Sequence, residues 1–209
     1  MASEQQKALI GWAKTHMDFA PDLKVQKFLF FYECLSKIAG DAYDFSDLKG
    51  YRRGPVFASV YAENKYDTGR FHAQCMEAAQ NVAINEARAK QALFLAQMLG
   101  KGLSDFTHSL NIWAAKEKRI LSGEQQVSLD DSDFSENDAQ VFRRFQQAYP
   151  VEYIDSVDVK ERFGKTFILP KGLNLSDNQW EALSEIADDP ELKNPVYVDV
   201  DEDGGLLVE

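Results

Sequence analysis

The hydrophobic positions near the start of the chain predict two helices of different character. Apolar residues follow Ser3-Glu-Gln-Gln6 at helical spacing up to about Met17, and Ser3 and Gln6 have the form of a capping box. The segment from Leu23 to Ala39 is apolar around most of its circumference, which is typical of a helix at the centre of a domain. Pro21 is expected to separate these two helices.

Further helices are predicted in the middle of the chain. Gly54-Pro55 is interpreted as a loop that places the proline in the first turn of a third helix, which extends to about Tyr66. Helical periodicity then covers about residues 71–81, 85–100 and 103–118. The stretch from Ser122 to Ser135 is interpreted as a surface loop, and Ser135-x-x-Asp138 opens a helix that Pro150 ends.

The pattern changes after Pro150. Thr166–Leu169 and Val196–Val200 have the short apolar and β-branched runs of strands, and Ser176-x-x-Gln179 predicts a capped helix between them. A Gly-Gly hairpin is expected to join Val196–Val200 to Leu206–Val208. The fold class is therefore expected to be mainly α, with a compact multi-helix domain over residues 1–150 and a small acidic α+β extension over residues 151–209.

Charge is distributed unevenly along the chain, and this limits the partners. The 209 residues carry a net charge of -11, but residues 1–120 hold 16 basic and 13 acidic side chains, whereas residues 121–209 hold 7 and 21. Nucleic-acid binding needs clustered cations, so no direct nucleic-acid contact is expected, while a basic protein partner remains open. Charges interrupt every apolar run before the roughly 18 residues of a membrane helix, so no membrane association is expected. Two cysteines and the absence of a basic-apolar leader favour the cytoplasm.

The common signatures of nucleotide, hydrolase and metal sites are missing from the sequence. There is no phosphate-binding Gly-x4-Gly-Lys-Ser/Thr loop, no Gly-x-Ser-x-Gly elbow and no His-Glu-x-x-His. His72 and Cys75 share a helix face as two zinc ligands would, but a half-buried histidine beside a core thiol explains them better. No metal and no cofactor are expected.

Two groups of residues are candidates for function. Arg52 and Arg53 are expected to form an anion site beside the N-terminus of the third helix, or else a solvated pair that bridges to Asp41, Asp44 or Asp47. His108 is expected to be buried, with Trp113 as a core residue. A hydrolase that uses His108 with Asp105 and the two arginines is a weaker hypothesis, because no nucleophile accompanies them, and the chain is therefore expected not to be an enzyme.

Three segments together resemble a known family, the Panacea domain of phage-associated, SocA-like antitoxins. Leu23-Lys-Val-Gln-Lys-Phe-Leu-Phe-Phe-Tyr32 resembles its opening helix. Phe45-Ser-Asp-Leu-Lys-Gly-Tyr-Arg-Arg-Gly-Pro-Val-Phe-Ala-Ser-Val-Tyr61 resembles its Gly-Pro-Val motif, and Leu103-Ser-Asp-Phe-Thr-His108 with Trp113 resembles its Leu-Ser-x-x-Thr-His motif and the tryptophan that follows. The segments occur in the family's order, but Arg53 stands where an aromatic residue commonly precedes Gly-Pro.

The resemblance implies an all-helical antitoxin domain that neutralises a cognate protein toxin, encoded by the adjacent gene, by direct contact. An adaptor that recruits a host protein or protease is the alternative. The residues expected to bind the partner are Arg52, Arg53, Gly54, Pro55, Tyr61 and His108. The residues expected in the core are Phe28, Tyr32 and Trp113.

Overall fold

A computed structural model describes residues 1–17, 22–189 and 191–209. Pro21, expected to separate the first two helices, lies outside these ranges. The described helices are α1 (Glu4–His16), α2 (Asp22–Ala39), α3 (Ala58–Tyr66), α4 (Thr68–Asn81), α5 (Glu86–Met98), α6 (Leu103–Ser109), α7 (Asn111–Ala114), α8 (Glu117–Leu121), α9 (Glu136–Ala148), α10 (Val151–Asp155) and α11 (Asp177–Ile186). No helix within the described ranges is long and apolar enough to span a lipid bilayer.

Two small sheets accompany the helices. The first has the antiparallel order β2-β1-β3, with β1 at Leu48–Tyr51, β2 at Gly54–Phe57 and β3 at Val127–Ser128. The second has the order β4-β5-β6-β7, in which β5 and β6 run parallel and the other neighbours antiparallel. Its strands are β4 (Val157–Arg162), β5 (Lys165–Pro170), β6 (Val196–Val200) and β7 (Leu206–Val208). The fold is therefore mainly α with a β-containing C-terminal part, as predicted. The all-helical body that the family resemblance implied is wrong, because β1, β2 and β3 form a sheet within residues 1–150.

Serine caps begin three helices where the sequence predicted them. Ser3, Ser135 and Ser176 each accept a hydrogen bond from the backbone N–H three residues later, and each backbone N–H donates in return to that residue's side chain. These reciprocal bonds satisfy donors that the first turn of a helix leaves free. The three predicted helix starts are confirmed. They could be predicted because each depends on residues within a single helical turn.

Helix α2 lies at the centre of the main core, as its apolar circumference predicted. Phe28, Phe30 and Phe31 are fully buried, and α1, α5, α9 and β2 pack around the helix. Tyr32 and Trp113 are buried in the same core. Burial of each such aromatic side chain contributes about 1.5–3 kcal/mol relative to exposure, so α2 organises the body energetically as well as geometrically.

The predicted start of the third helix at Pro55 is wrong. Residues Gly54–Phe57 form strand β2, which pairs with β1 so that Gly50 lies opposite Pro55, and α3 begins only at Ala58. All four residues of β2 are buried. The pairing partner lies earlier in the chain, across a tight turn at Arg52-Arg53, so helical periodicity gave no signal of it.

The single helix predicted over residues 103–118 is also wrong. The chain becomes extended at Leu110, and α7 starts afresh at Asn111. The cause is Asp138, whose carboxylate is fully buried and accepts the backbone N–H groups of Asn111 and Ile112. The predicted loop over residues 122–135 likewise contains strand β3 and a single 3-10 turn.

The C-terminal sheet packs between the helical body and α11. Ile168 belongs to the main core, whereas Phe167, Leu169 and Val196 form a second cluster that α11 covers with Leu183. The alternation follows from the two-residue period of a strand. Because one face of β5 completes the helical core, residues 151–209 contribute to the packing of residues 1–150.

Candidate partner-binding site

The three segments that resemble the family converge in space on the β1–β2 hairpin. Lys27 of α2 donates from Nζ to the backbone oxygen of Pro55 at 3.1 Å. Trp113 of α7 donates from Nε1 to the backbone oxygen of Tyr51 at 3.0 Å. Thr107 of α6 lies beside Gly54. Segments separated by tens of residues therefore form one structural unit.

Side chains of α2 and α6 approach the hairpin closely at Gly54. Its φ of +99° is a conformation that side chains other than glycine rarely adopt. A Cβ atom at this position would collide with Thr107 Oγ1 and Lys27 Nζ. Both the backbone conformation and the limited space require glycine at this position. Gly54 and Pro55 are buried, so they hold the exposed arginines of the turn in place from beneath the surface.

The turn of the hairpin is held by side chains on both sides. In addition to the bonds that Trp113 and Lys27 donate, Ser104 Oγ donates to the backbone oxygen of Arg53 at 3.3 Å. The backbone on both sides of Arg52 is therefore anchored, at Tyr51 to α7 and at Arg53 to α6. The arginine side chains project from a fixed backbone.

Two titratable groups lie beneath this turn. Lys27 is completely buried, and burial lowers its pKa to about 7. Burial also lowers the pKa of His108, and the charge on Lys27 acts in the same direction. The His108 ring stacks on Trp113 with centroids 3.8 Å apart, and its Nε2 is buried without a hydrogen-bond partner in the described structure. These features favour a neutral imidazole that packs under the hairpin.

The arrangement needed by the hydrolase hypothesis does not form among the described residues. Asp105 is exposed and its carboxylate makes no hydrogen bond to His108, so it does not orient the imidazole. The stacked ring and the buried Nε2 leave His108 without a path to a substrate from that nitrogen. A general base requires such a path.

Arg52 and Arg53 are exposed, and the bridges that one interpretation assigned to them do not form. Asp41 pairs with Arg88 at 2.5 Å, and the carboxylates of Asp44 and Asp47 accept backbone N–H groups of Ser46 and Ser59. Across the described ranges, no carboxylate lies within ion-pair distance of either guanidinium. The predicted position beside a helix N-terminus is also wrong, because strand β2 separates the pair from α3.

Comparison with protein-family models, with curated proteins and with solved structures finds no match for this chain. The resemblance to the Panacea domain therefore remains a prediction that rests on the three sequence segments.

Tyr61 lies beside the hairpin on α3. Its ring centroid is 6.0 Å from that of Tyr51, and 40% of the residue is exposed. Lys65 places its Nζ 5.6 Å from the Tyr61 ring and 5.3 Å from the ring of Tyr66, which is 79% exposed. Of the six residues predicted to bind the partner, Arg52, Arg53 and Tyr61 are exposed at this surface, while the other three lie beneath it.

Sequence reasoning missed several residues of this site. Lys27 carried a usable signal, since it directly precedes the apolar run Phe28–Phe31 in α2, and a buried lysine needs a specific acceptor. Tyr51, Lys65 and Tyr66 carried none, because only the packing of the hairpin beside α3 brings them together.

The weaker metal candidates have ordinary structural roles. His72 Nε2 and Asn64 Oδ1 share a hydrogen bond at 2.9 Å, and Cys75 is fully buried, which raises the pKa of its thiol to about 11. In the part of the chain that the structure describes, no group of three or more histidine, cysteine or acidic side chains is placed to hold a metal ion.

Proposed function

We propose that this chain is an antitoxin that neutralises a protein toxin by direct contact, and that the Arg52-Arg53 turn belongs to the contact surface. The observation that supports the proposal is the convergence of the three family-like segments. They meet at one hairpin, held by hydrogen bonds from Lys27 and Trp113, and this hairpin presents to solvent two guanidiniums that form no ion pair with a described residue.

The chemistry of the surface suits protein binding. Arginine and tyrosine are enriched at the energetic centres of protein interfaces, and both occur here side by side. A backbone that is already fixed loses little conformational entropy on binding. The anchored turn therefore supports a contact with a folded partner.

The acidic C-terminal part would contribute in a different way. Residues 121–209 hold 21 acidic and 7 basic side chains, so their field attracts a basic surface of the toxin and speeds association. We further propose that the toxin is encoded by the adjacent gene and that the pair acts in the cytoplasm.

Co-expression in a bacterial host tests the function. The neighbouring gene alone should arrest growth, and the full-length chain should restore it. The double variant R52E/R53E should lose rescue, whereas R143E/R144E should keep it. Arg143 and Arg144 are a second exposed adjacent pair, on α9, where Arg143 bonds Glu136 at 2.6 Å.

The outcomes separate the alternatives. Continued growth arrest despite good expression of the wild-type chain would refute neutralisation. A neighbour that is harmless alone, together with a phenotype of the chain by itself, would favour the adaptor. Loss of rescue in both double variants would place the contact elsewhere, and thermal unfolding of each purified variant excludes misfolding as the cause.

A further inference from the structure

We infer that the hairpin turn and the exposed face of α3 that bears Tyr61, Lys65 and Tyr66 bind an acidic, extended polypeptide segment of the partner, through its carboxylates. This inference rests on the proposed function, because it names the chemistry of the surface that the toxin would present. The surface is called the Arg–Tyr patch. It consists of Tyr51, Arg52, Arg53, Tyr61, Lys65 and Tyr66.

The first argument is that the two guanidiniums form no ion pair with any described residue and stand on a well-anchored backbone. The three aspartates nearest in sequence are engaged elsewhere, with Arg88 or with backbone N–H groups. The backbone beneath the arginines is anchored by donors from Ser104 and Trp113. A planar guanidinium binds a carboxylate through two parallel N–H···O bonds, so two adjacent ones on a fixed turn select successive carboxylates.

The second argument is the aromatic side of the patch. Tyr51 and Tyr61 lie 6.0 Å apart and extend the surface from the turn along α3. Lys65 lies over the rings of Tyr61 and Tyr66 and adds a third cation. The tyrosine rings offer apolar contact area and hydroxyl groups that hydrogen-bond to carboxylate or backbone oxygens.

The third argument favours a polypeptide over a nucleic acid. Three cations can neutralise only about three phosphates, whereas stable binding to nucleic acid commonly uses about 6–10. The chain as a whole carries a net charge of -11, which opposes a polyanion that extends far beyond the patch. Short contacts to a few carboxylates are less affected, because charges beyond about 8 Å are screened at physiological salt.

Fluorescence anisotropy with labelled probes tests the inference on the full-length protein. The probes are a deca-glutamate peptide, a deca-lysine peptide and a decauridylate RNA. Deca-glutamate should bind the wild-type chain, and R52E/R53E should weaken its binding by about a hundredfold or more, because two attractive contacts become repulsive. R52K/R53K keeps both charges but loses the bidentate geometry, so it should weaken binding by about tenfold. The control R143E/R144E should bind as the wild type does.

Three results would overturn the inference. The first is a dissociation constant of the wild type for deca-glutamate above ~1 mM. The second is an equal loss of affinity for deca-glutamate in R52E/R53E and in R143E/R144E. The third is that the wild type binds decauridylate more tightly than deca-glutamate and that this binding also depends on Arg52 and Arg53. Deca-lysine serves as the specificity control. If it binds equally well to the wild type and to R52E/R53E, it is bound by the acidic C-terminal part and not by the Arg–Tyr patch. Failed growth rescue with intact deca-glutamate binding would refute the antitoxin but keep the patch. Intact rescue without peptide binding would refute only the patch.

Discussion

Replacement of Gly54 by alanine tests whether the hairpin is seated on α2 and α6 as described. The φ of +99° makes a side chain at this position unfavourable by about 1–3 kcal/mol. The added Cβ would also collide with Thr107 Oγ1 and Lys27 Nζ, and it would displace the buried amine from the oxygen of Pro55. An unsatisfied buried polar group costs about 1–3 kcal/mol more. The free energy of unfolding should therefore fall by about 2–6 kcal/mol in G54A.

Gly123 provides a matched control. Its φ is +93°, but a Cβ there would meet no atom within 4 Å, so G123A carries the backbone penalty alone. Urea unfolding followed by circular dichroism gives both free energies, and unchanged m values would show that the same transition is compared. The expected difference between the two variants is about 1–3 kcal/mol. If G54A is no less stable than G123A, the described contact between the hairpin and Lys27 is incorrect.

Three further predictions concern stability. Burial raises the pKa of Glu33 to about 7. The stability that this shift contributes to the folded state is fully present below the unfolded pKa near 4.5 and is lost as the pH rises through 7. The wild type should then lose up to about 3 kcal/mol relative to E33Q between pH 5 and 8, and parallel pH profiles in chemical denaturation would contradict this. W113A should lower the free energy of unfolding by about 3–5 kcal/mol, whereas W113F, which loses mainly the bond to Tyr51, should lose about 1–2 kcal/mol; wild-type stability in W113F would show that this bond contributes nothing. Truncation after Pro150 removes Ile168 from the main core and should abolish cooperative thermal unfolding, so a sharp transition in residues 1–150 would show that the body folds alone.

Much of the secondary structure could be predicted because its determinants are local. Ser3, Ser135 and Ser176 each act on a backbone N–H only three residues away, within one helical turn. The strand at Thr166–Leu169 and the hairpin that follows Val196–Val200 were likewise visible in runs of a few residues. Such local patterns can be recognised in a single sequence.

The candidate site could be predicted only in part. Arg52, Arg53 and Tyr61 were named from the sequence, but their common surface depends on the pairing of β1 with β2. The same pairing turned a predicted helix start at Pro55 into a strand. Helical periodicity cannot report a hydrogen-bond partner that lies across a turn.

The sequence by itself determined a mainly helical chain with a central apolar helix, capped helix starts and an uneven distribution of charge. The tertiary structure decided where helices break and what the turn presents. Asp138 starts α7 by accepting two N–H groups that lie 27 and 26 residues earlier, and Lys27 meets Pro55 from 28 residues away. A buried charge takes whichever partner the fold brings to it, because leaving it unpaired is expensive. The tertiary packing determines which partner this is, and the partner is not a neighbour in the sequence.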